Sequence, residues 1–201
     1  MKNSLPKVGT IILAAGASTR MGTPKQLLQF KGRSLLRHTT EVALASVCEP
    51  MIVVLGAYAE QIHNEVNQLP VVVVENQEWH LGMGASIRVG INAPNDSSEN
   101  IEAVVLLLCD QPFVCVDVVN QLVEAYHTTL QPIVASEYAG ILGVPALFSR
   151  KFFSELISLN VAAGAKEVIK KYSHLVFPVS FAAGVIDIDT PQDYEQLQYS
   201  R

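Results

Sequence analysis

Between Ile12 and Leu28 the chain reads ILAAGASTRMGTPKQLL, residue types that suit a phosphate group better than a core. Ala14, Ala15 and Gly16 are small enough for backbone N–H groups to approach an anion closely. Arg20 offers a planar fork for two phosphate oxygens, and Lys25 a mobile point charge for a phosphoryl centre. The spacing Gly16-x5-Gly22-x2-Lys25 fits neither the Walker A loop nor the GxGxxG of a dinucleotide fold. Half of the 14 Lys and Arg residues lie in positions 1–40, where there is no Asp or Glu, so this end carries a local field able to attract a polyanion. The alternative for that basic segment is a solvated surface with a disordered amino terminus.

Two acidic stretches complement it. Asp110 ends the apolar run Ala103–Cys109, where a lone carboxylate is costly unless paired, hydrated or bound to a cation, and Mg²⁺ beside a triphosphate fits the setting. Its structural alternative is a cap on the turn into the next helix. In Asp187-Ile-Asp-Thr-Pro-Gln-Asp193, helix capping accounts for Thr190, Pro191 and Asp193. It leaves Asp187 and Asp189, expected to alternate on a short strand around Ile188, as candidates for a second metal ligand; Asp187 is preferred, although spacing does not separate them. Gly82, Gly84 and Ser86, in a glycine-rich turn before a helix, would let a base or ribose approach the backbone. The five histidines are scattered without metal spacing, and no GxSxG elbow is present.

The elements that must position these groups alternate. Val8–Leu13, Met51–Leu55, Val71–Glu75 and Ala103–Cys109 are short, nearly continuous apolar runs, as in parallel strands buried on both faces. Ser34–Val47, Tyr58–Asn67 and Ala85–Asn92 carry helical spacing between them. Beyond Asp110 the pattern predicts helices near Val116–Leu130, Lys151–Leu159 and Ala165–Tyr172, and strands near Ile133–Ala135 and Val144–Phe148. The fold expected is α/β, a Rossmann-like, doubly wound, mostly parallel sheet with helices on both faces, in a single domain over residues 1–201. Ala93–Asn100 is the one flexible-looking insert. In such sheets ligands bind beyond the carboxyl ends of the strands, which selects Ala14–Lys25, Gly56–Tyr58, Asn76–Ser86 and Asp110–Phe113.

Composition narrows the classes. The chain is 49% hydrophobic and 16% charged, which excludes a disordered or fibrous protein. A net charge of −5 argues against nucleic acid as partner, and the apolar runs are too short to cross a membrane. Three cysteines without metal spacing and no opening signal-peptide pattern give a reduced, cytoplasmic protein as the expectation.

Taken together, these stretches resemble the molybdenum-cofactor nucleotidyltransferase family of the nucleotidyltransferase superfamily, most of all its cytidylyltransferase branch. Leu13–Leu28 is similar to the family pattern LAAGxSxRMGxPKxLL nearly residue for residue. Asn76–Ile87 is similar to NxxWxxGMGxSI, Leu108–Val114 to a stretch containing CDQPFV, Gly143–Phe148 to GxPxLF and Asp187–Tyr194 to DIDTPxDY. The resemblance implies that Leu13, Ala14, Ala15 and Gly16 hold the nucleotide, with Arg20 and Lys25 on its phosphates. It places Asn76, Gly82, Gly84 and Ser86 around base and ribose, and Mg²⁺ on Asp110 and Asp187. The Ala14-Ala15 pair looks like the cytidylyl branch, where the guanylyl branch has LAGG, which implies CTP. The acceptor implied is phosphorylated, of molybdopterin type, with a recipient molybdoenzyme as a further partner. One segment departs: where the family reads GDxGAR, Asn160–Lys166 is NVAAGAK, which puts acceptor identity in question because Lys166 cannot make the bidentate contact of an arginine.

The chemistry expected is in-line attack of a substrate monophosphate on the α-phosphorus of CTP, with pyrophosphate leaving. The nucleophile is already anionic, so catalysis by Arg20, Lys25 and Asp110 reduces to positioning and charge neutralisation. The rivals are guanylyl transfer to the same cofactor, nucleotidyl transfer to another small phosphorylated acceptor, and a non-catalytic nucleotide-binding protein. A nicotinamide-dependent oxidoreductase is disfavoured because no GxGxxG follows the first strand.

Overall fold

The computed structural model describes residues 6–93 and 101–199; most of the expected flexible insert and the chain ends lie outside them. A seven-stranded sheet runs in the order β5-β4-β1-β6-β8-β7-β9. Its strands are β1 (Lys7–Leu13), β4 (Met51–Leu55), β5 (Val72–Glu75), β6 (Ile101–Leu108), β7 (Ile133–Tyr138), β8 (Ile141–Ser149) and β9 (Val176–Ser180). Only β8 runs against the others, so the sheet is mostly parallel, as expected.

The near-continuous apolarity of β1 follows from burial on both faces. Val8, Ile12 and Ala14 enter one core with Leu36 and Val42 of α1 (Leu35–Leu44) and Val119 and Leu122 of α4 (Val116–Thr129). Ile11, Leu13 and Ala15 enter the other with Ile87 of α3 (Met83–Ile91), Leu156 of α5 (Phe153–Ile157) and Val168 of α6 (Ala165–Lys171). Burying one such Ile or Leu contributes about 1.5–3 kcal/mol, so the two cores fix β1 tightly and with it the loop that follows.

Three departures from the sequence pattern have physical causes. The helix expected over Tyr58–Asn67 is one short turn, α2 (Ala59–Ile62), tightening into a 3₁₀ turn at His63–Glu65, because only Ile62 and Val66 are buried to anchor it. A small hairpin, β2 (Gln29–Phe30) and β3 (Arg33–Ser34), turns through Lys31 and Gly32, both at positive φ, the geometry that suits a two-residue hairpin loop. β9 contains Pro178, which cannot donate to a ladder, and it is accordingly an edge strand.

Asp187 and Asp189 are not on a strand. Their segment crosses the end of the sheet, held there by Ile188 N–H donating to Asp110 O at 2.9 Å, with Ile188 buried below. One such bond does not make a ladder. The helix start expected at Thr190 is present: α7 (Pro191–Tyr199) opens with Thr190 N–H and Oγ1 both donating to Asp193 Oδ2, at 2.7 and 2.8 Å. Among the described residues no helix is long and apolar enough to cross a membrane.

Candidate active site

Strand order reverses direction between β1 and β6, since the chain leaves β1 toward β4 and β5 and then returns to the other side. The cleft lies at the carboxyl ends of that pair, where open α/β sheets bind ligands. It measures about 210 Å³ and is lined by Leu13, Ala14, Ala15, Gly16, Lys25, Gly82, Ser86 and Asp110, together with Gln26, Trp79 and Met83. A larger hollow of about 680 Å³, beside Lys7, Glu49 and His127, sits at the amino end of β1 and shares no residue with this cleft.

Lys25 is the centre of charge. Its Nζ donates to Asp110 Oδ2 at 2.5 Å and to Asp189 Oδ1 at 3.1 Å, while Arg20 Nη2 donates to Asp189 Oδ2 at 2.7 Å. Burial works against the ammonium, but the Asp110 charge and the hydrogen bonds to Asp110 and Asp189 outweigh it and hold Lys25 above its ordinary range. Cys109 beside them is a neutral thiol, pushed up to about 12 by burial and then by Asp110. Asp110 keeps Oδ1 buried and without a hydrogen-bond partner among the described residues, so Lys25 engages only one of its two oxygens.

The Asp187 carboxyl, exposed at the surface, is raised above the usual carboxylate range by partial desolvation, then by the like charges of Asp189 and Asp110. It lines a separate hollow of about 210 Å³ with Phe113, Val185 and Leu197. Hard carboxylate oxygens under mutual repulsion fit a divalent cation. Among the described residues no group of three or more His, Cys, Asp or Glu side chains is arranged to hold a metal alone.

On the opposite wall, Asn76 is buried behind the cleft and does not line it. Its Nδ2 donates to Ser86 Oγ at 2.9 Å and its Oδ1 accepts Glu78 N–H at 2.9 Å, so it sets the Ser86 hydroxyl. The need for glycine at 82 and 84 comes from the protein's own backbone. A Cβ on Gly82 would lie 2.5 Å from Val161 O, and one on Gly84 2.5 Å from Asn160 O, while Gly84 N–H donates to Val161 O at 2.9 Å. The divergent Asn160–Lys166 segment therefore begins by buttressing the Gly82–Gly84 turn.

Of the residues singled out from sequence, the cleft gathers Leu13–Gly16, Lys25, Gly82, Ser86 and Asp110, with Gly84 in the turn beside it and Asp187 in the separate hollow. Arg20 is at the exposed rim, reaching in through Asp189. Lys25 and Arg20 engage Asp189 and not Asp187, a difference that spacing in the sequence does not signal. Gln26, Trp79 and Met83 were missed; a glutamine inside a basic loop has no periodicity to mark it as buried, yet Gln26 is 1% exposed.

Fold and site together define an α/β nucleotidyltransferase, and comparison with known proteins agrees. The chain belongs to the family described as the MobA-like NTP transferase domain, whose profile matches residues 10–175, and it is an enzyme of that nucleotidyltransferase family. It is 24% identical over 188 residues to the molybdenum cofactor cytidylyltransferase of Escherichia coli (strain K12), covering 93% of each chain. It is also 35% identical over 124 residues to the nicotine blue oxidoreductase of Paenarthrobacter nicotinovorans; that alignment takes in 61% of this chain and spans only 59% of the relative's length. The crystal structure of Rv0371c from Mycobacterium tuberculosis H37Rv superposes with a TM-score of 0.81 at 31% identity, over 97% of this chain and 99% of that one. The same mycobacterial protein has been solved in complex with manganese, at a TM-score of 0.78 and 28% identity, over 97% of this chain and 100% of that one.

Proposed function

We propose that residues 1–201 act as one cytidylyltransferase domain, transferring CMP from CTP to a phosphorylated acceptor of molybdopterin type with release of pyrophosphate. The observation that carries this reading is Lys25 held between Asp110 and Asp189 at the end of β1 and β6, beside a loop of small residues. In the reaction an oxygen of the acceptor phosphate bonds to the α-phosphorus, the bond from α-phosphorus to the bridging oxygen breaks, and that oxygen leaves on pyrophosphate. Lys25 and Arg20 neutralise charge on the phosphates, turning from their carboxylate partners toward them. Ala14-Ala15 and the similarity to a cytidylyltransferase over 93% of the chain support CTP over GTP.

Mg²⁺ is the proposed cofactor, and when bound it supplies charge neutralisation across the phosphate oxygens. Asp110, through its unpartnered Oδ1, and Asp187, whose charge no cation of the protein pairs among the described residues, would hold it. Asp189 is already engaged by Lys25 and Arg20, which supports Asp187 as the ligand. The recipient of the product would be a molybdoenzyme, and the location cytoplasmic.

The test is pyrophosphate release with Mg²⁺ and a molybdopterin-type acceptor, comparing CTP, GTP, ATP and UTP. Turnover with CTP supports the proposal, and turnover with GTP alone moves it to guanylyl transfer. The oxidoreductase name of the 35%-identical relative marks a second reading. Tight NADH binding with no pyrophosphate release from any nucleotide would favour it.

A further inference from the structure

Every backbone carbonyl from Ala14 to Ala17 is tied back into the protein. Ala14 O and Gly16 O accept from Gln26 Nε2 at 2.8 and 2.9 Å. Ala15 O accepts Ala57 N–H at 3.1 Å, and Ala17 O accepts the Tyr58 hydroxyl at 2.9 Å. Since carbonyls only accept, the Gln26 amide has one permitted orientation, and its Oε1 then takes the Ser18 hydroxyl at 3.4 Å. The same Ser18 Oγ receives Lys25 N–H at 3.1 Å, which ties the amide to the backbone of the central lysine.

The other half of each peptide is free. Among the described residues no acceptor meets the N–H groups of Ala15, Gly16, Ala17 or Ser18, although Ala14 N–H is used by Val54 O at 2.9 Å. In a trans peptide the carbonyl and the following N–H point in opposite directions. Drawing Ala14 O and Gly16 O inward therefore turns the N–H groups of Ala15 and Ala17 outward, and Ala57 and Tyr58 do the same for Gly16 and Ser18. Ser18 sits at φ +50°, a left-handed conformation that non-glycine residues adopt only where the surroundings hold them, and one that belongs to anion-binding nests.

From this we infer that Gln26, with Tyr58 as a second clamp, is a positioning residue that converts the loop into an array of donors for a polyphosphate. Gln26 is buried and acts through the loop. The array reads phosphate and not base, so its loss lowers triphosphate affinity while leaving the choice between bases intact. The inference rests on the nucleotidyltransferase reading above and adds to it the residue that makes the site selective for polyphosphate.

The experiment uses the full chain with Mg²⁺ and measures dissociation constants for CTP, GTP and inorganic tripolyphosphate by calorimetry. Gln26→Met keeps the length of the side chain and removes its donors; Tyr58→Phe removes one hydroxyl and leaves the ring, so it reports even if the first variant folds poorly. The expected result is a rise of about tenfold in the constants for CTP and tripolyphosphate in Gln26→Met, and about threefold in Tyr58→Phe, with the CTP-to-GTP preference unchanged. Unaltered tripolyphosphate affinity in both variants, or a base preference lost in step with it, overturns the inference alone. Failure of the unmodified protein to bind CTP, GTP or tripolyphosphate overturns the parent reading with it.

Discussion

Lys25 and Asp110 lie 85 residues apart in the chain and meet at 2.5 Å, each with a side chain 15% exposed. The contact exists because β1 and β6 are parallel neighbours, with Leu13 level with Leu108, so both following loops open at the same end of the sheet. At this burial neither charge is comfortable alone. A cation held between two carboxylates, close to a third, is a reserve of positive charge that an entering polyphosphate draws on without first bringing it out of water.

Lys25→Ala removes that cation. Turnover is expected to fall on the order of 10²–10³-fold, the scale for losing one strong preorganised donor. Asp110 and Asp189 are then left facing each other, so the melting temperature should drop in EDTA and recover in part with Mg²⁺. Near-normal turnover in this variant would sink the assignment.

Asp187 and Asp189 separate by their response to metal. Asp187→Asn is expected to raise the Mg²⁺ concentration needed for half-maximal rate, whereas Asp189→Asn lowers the rate at saturating Mg²⁺ by disorienting Lys25 and Arg20. Without metal the sign for Asp187 reverses. Its carboxyl is raised by desolvation, then by Asp189 and Asp110, so its charge destabilises the fold as pH climbs from the unfolded carboxylate range through the folded value. Asp187→Asn should therefore melt slightly higher at neutral pH in EDTA, by about 0.5 kcal/mol or less given its exposure. Metal titrations and melting curves on the two variants check both statements.

Gly82 holds φ +125° against the backbone of Val161 and Ala162. Gly82→Ala is expected to cost about 1–3 kcal/mol, and to loosen the Asn160–Gly164 buttress, shown by faster amide exchange at Gly84, whose N–H donates to Val161 O. Unchanged stability and exchange would contradict the packing explanation for this glycine.

His38 gives a pH signature away from the cleft. Its Nε2 pairs with Pro112 O at 3.1 Å, its Nδ1 is buried without a partner among the described residues, and its ring meets Phe30 edge-on. Burial, then the charge of Arg33, holds it below the ordinary histidine range. The unfolded chain takes up a proton first, so stability is full above about 6.5 and is lost as pH falls from there through the lower folded value. His38→Gln should flatten that part of the curve in urea unfolding measured across the window. An identical pH slope in the variant would show that another group is responsible.

Much of this architecture was legible because its signals are local. Apolar runs bounded by turns gave β4 over Met51–Leu55 to the residue, and the basic loop after β1 announced itself by charge. What escaped depends on contacts distant in sequence. Nothing near Asp189 reveals that Lys25, 164 positions away, will claim it instead of Asp187, and nothing near Gln26 reveals two carbonyls waiting at Ala14 and Gly16. The glycines of the 82–84 turn were legible as glycines, but the neighbour that requires them, Asn160–Ala162, is set by the tertiary fold.

The most direct test of nucleotidyl transfer is to follow labelled phosphorus from CTP into the acceptor, using nucleotide labelled at the α-position in one reaction and the γ-position in another. Cytidylyl transfer leaves the α-label on the acceptor and the γ-label in released pyrophosphate. Transfer of the γ-label to the acceptor, or its release as orthophosphate while the α-label stays on the nucleotide, would contradict it.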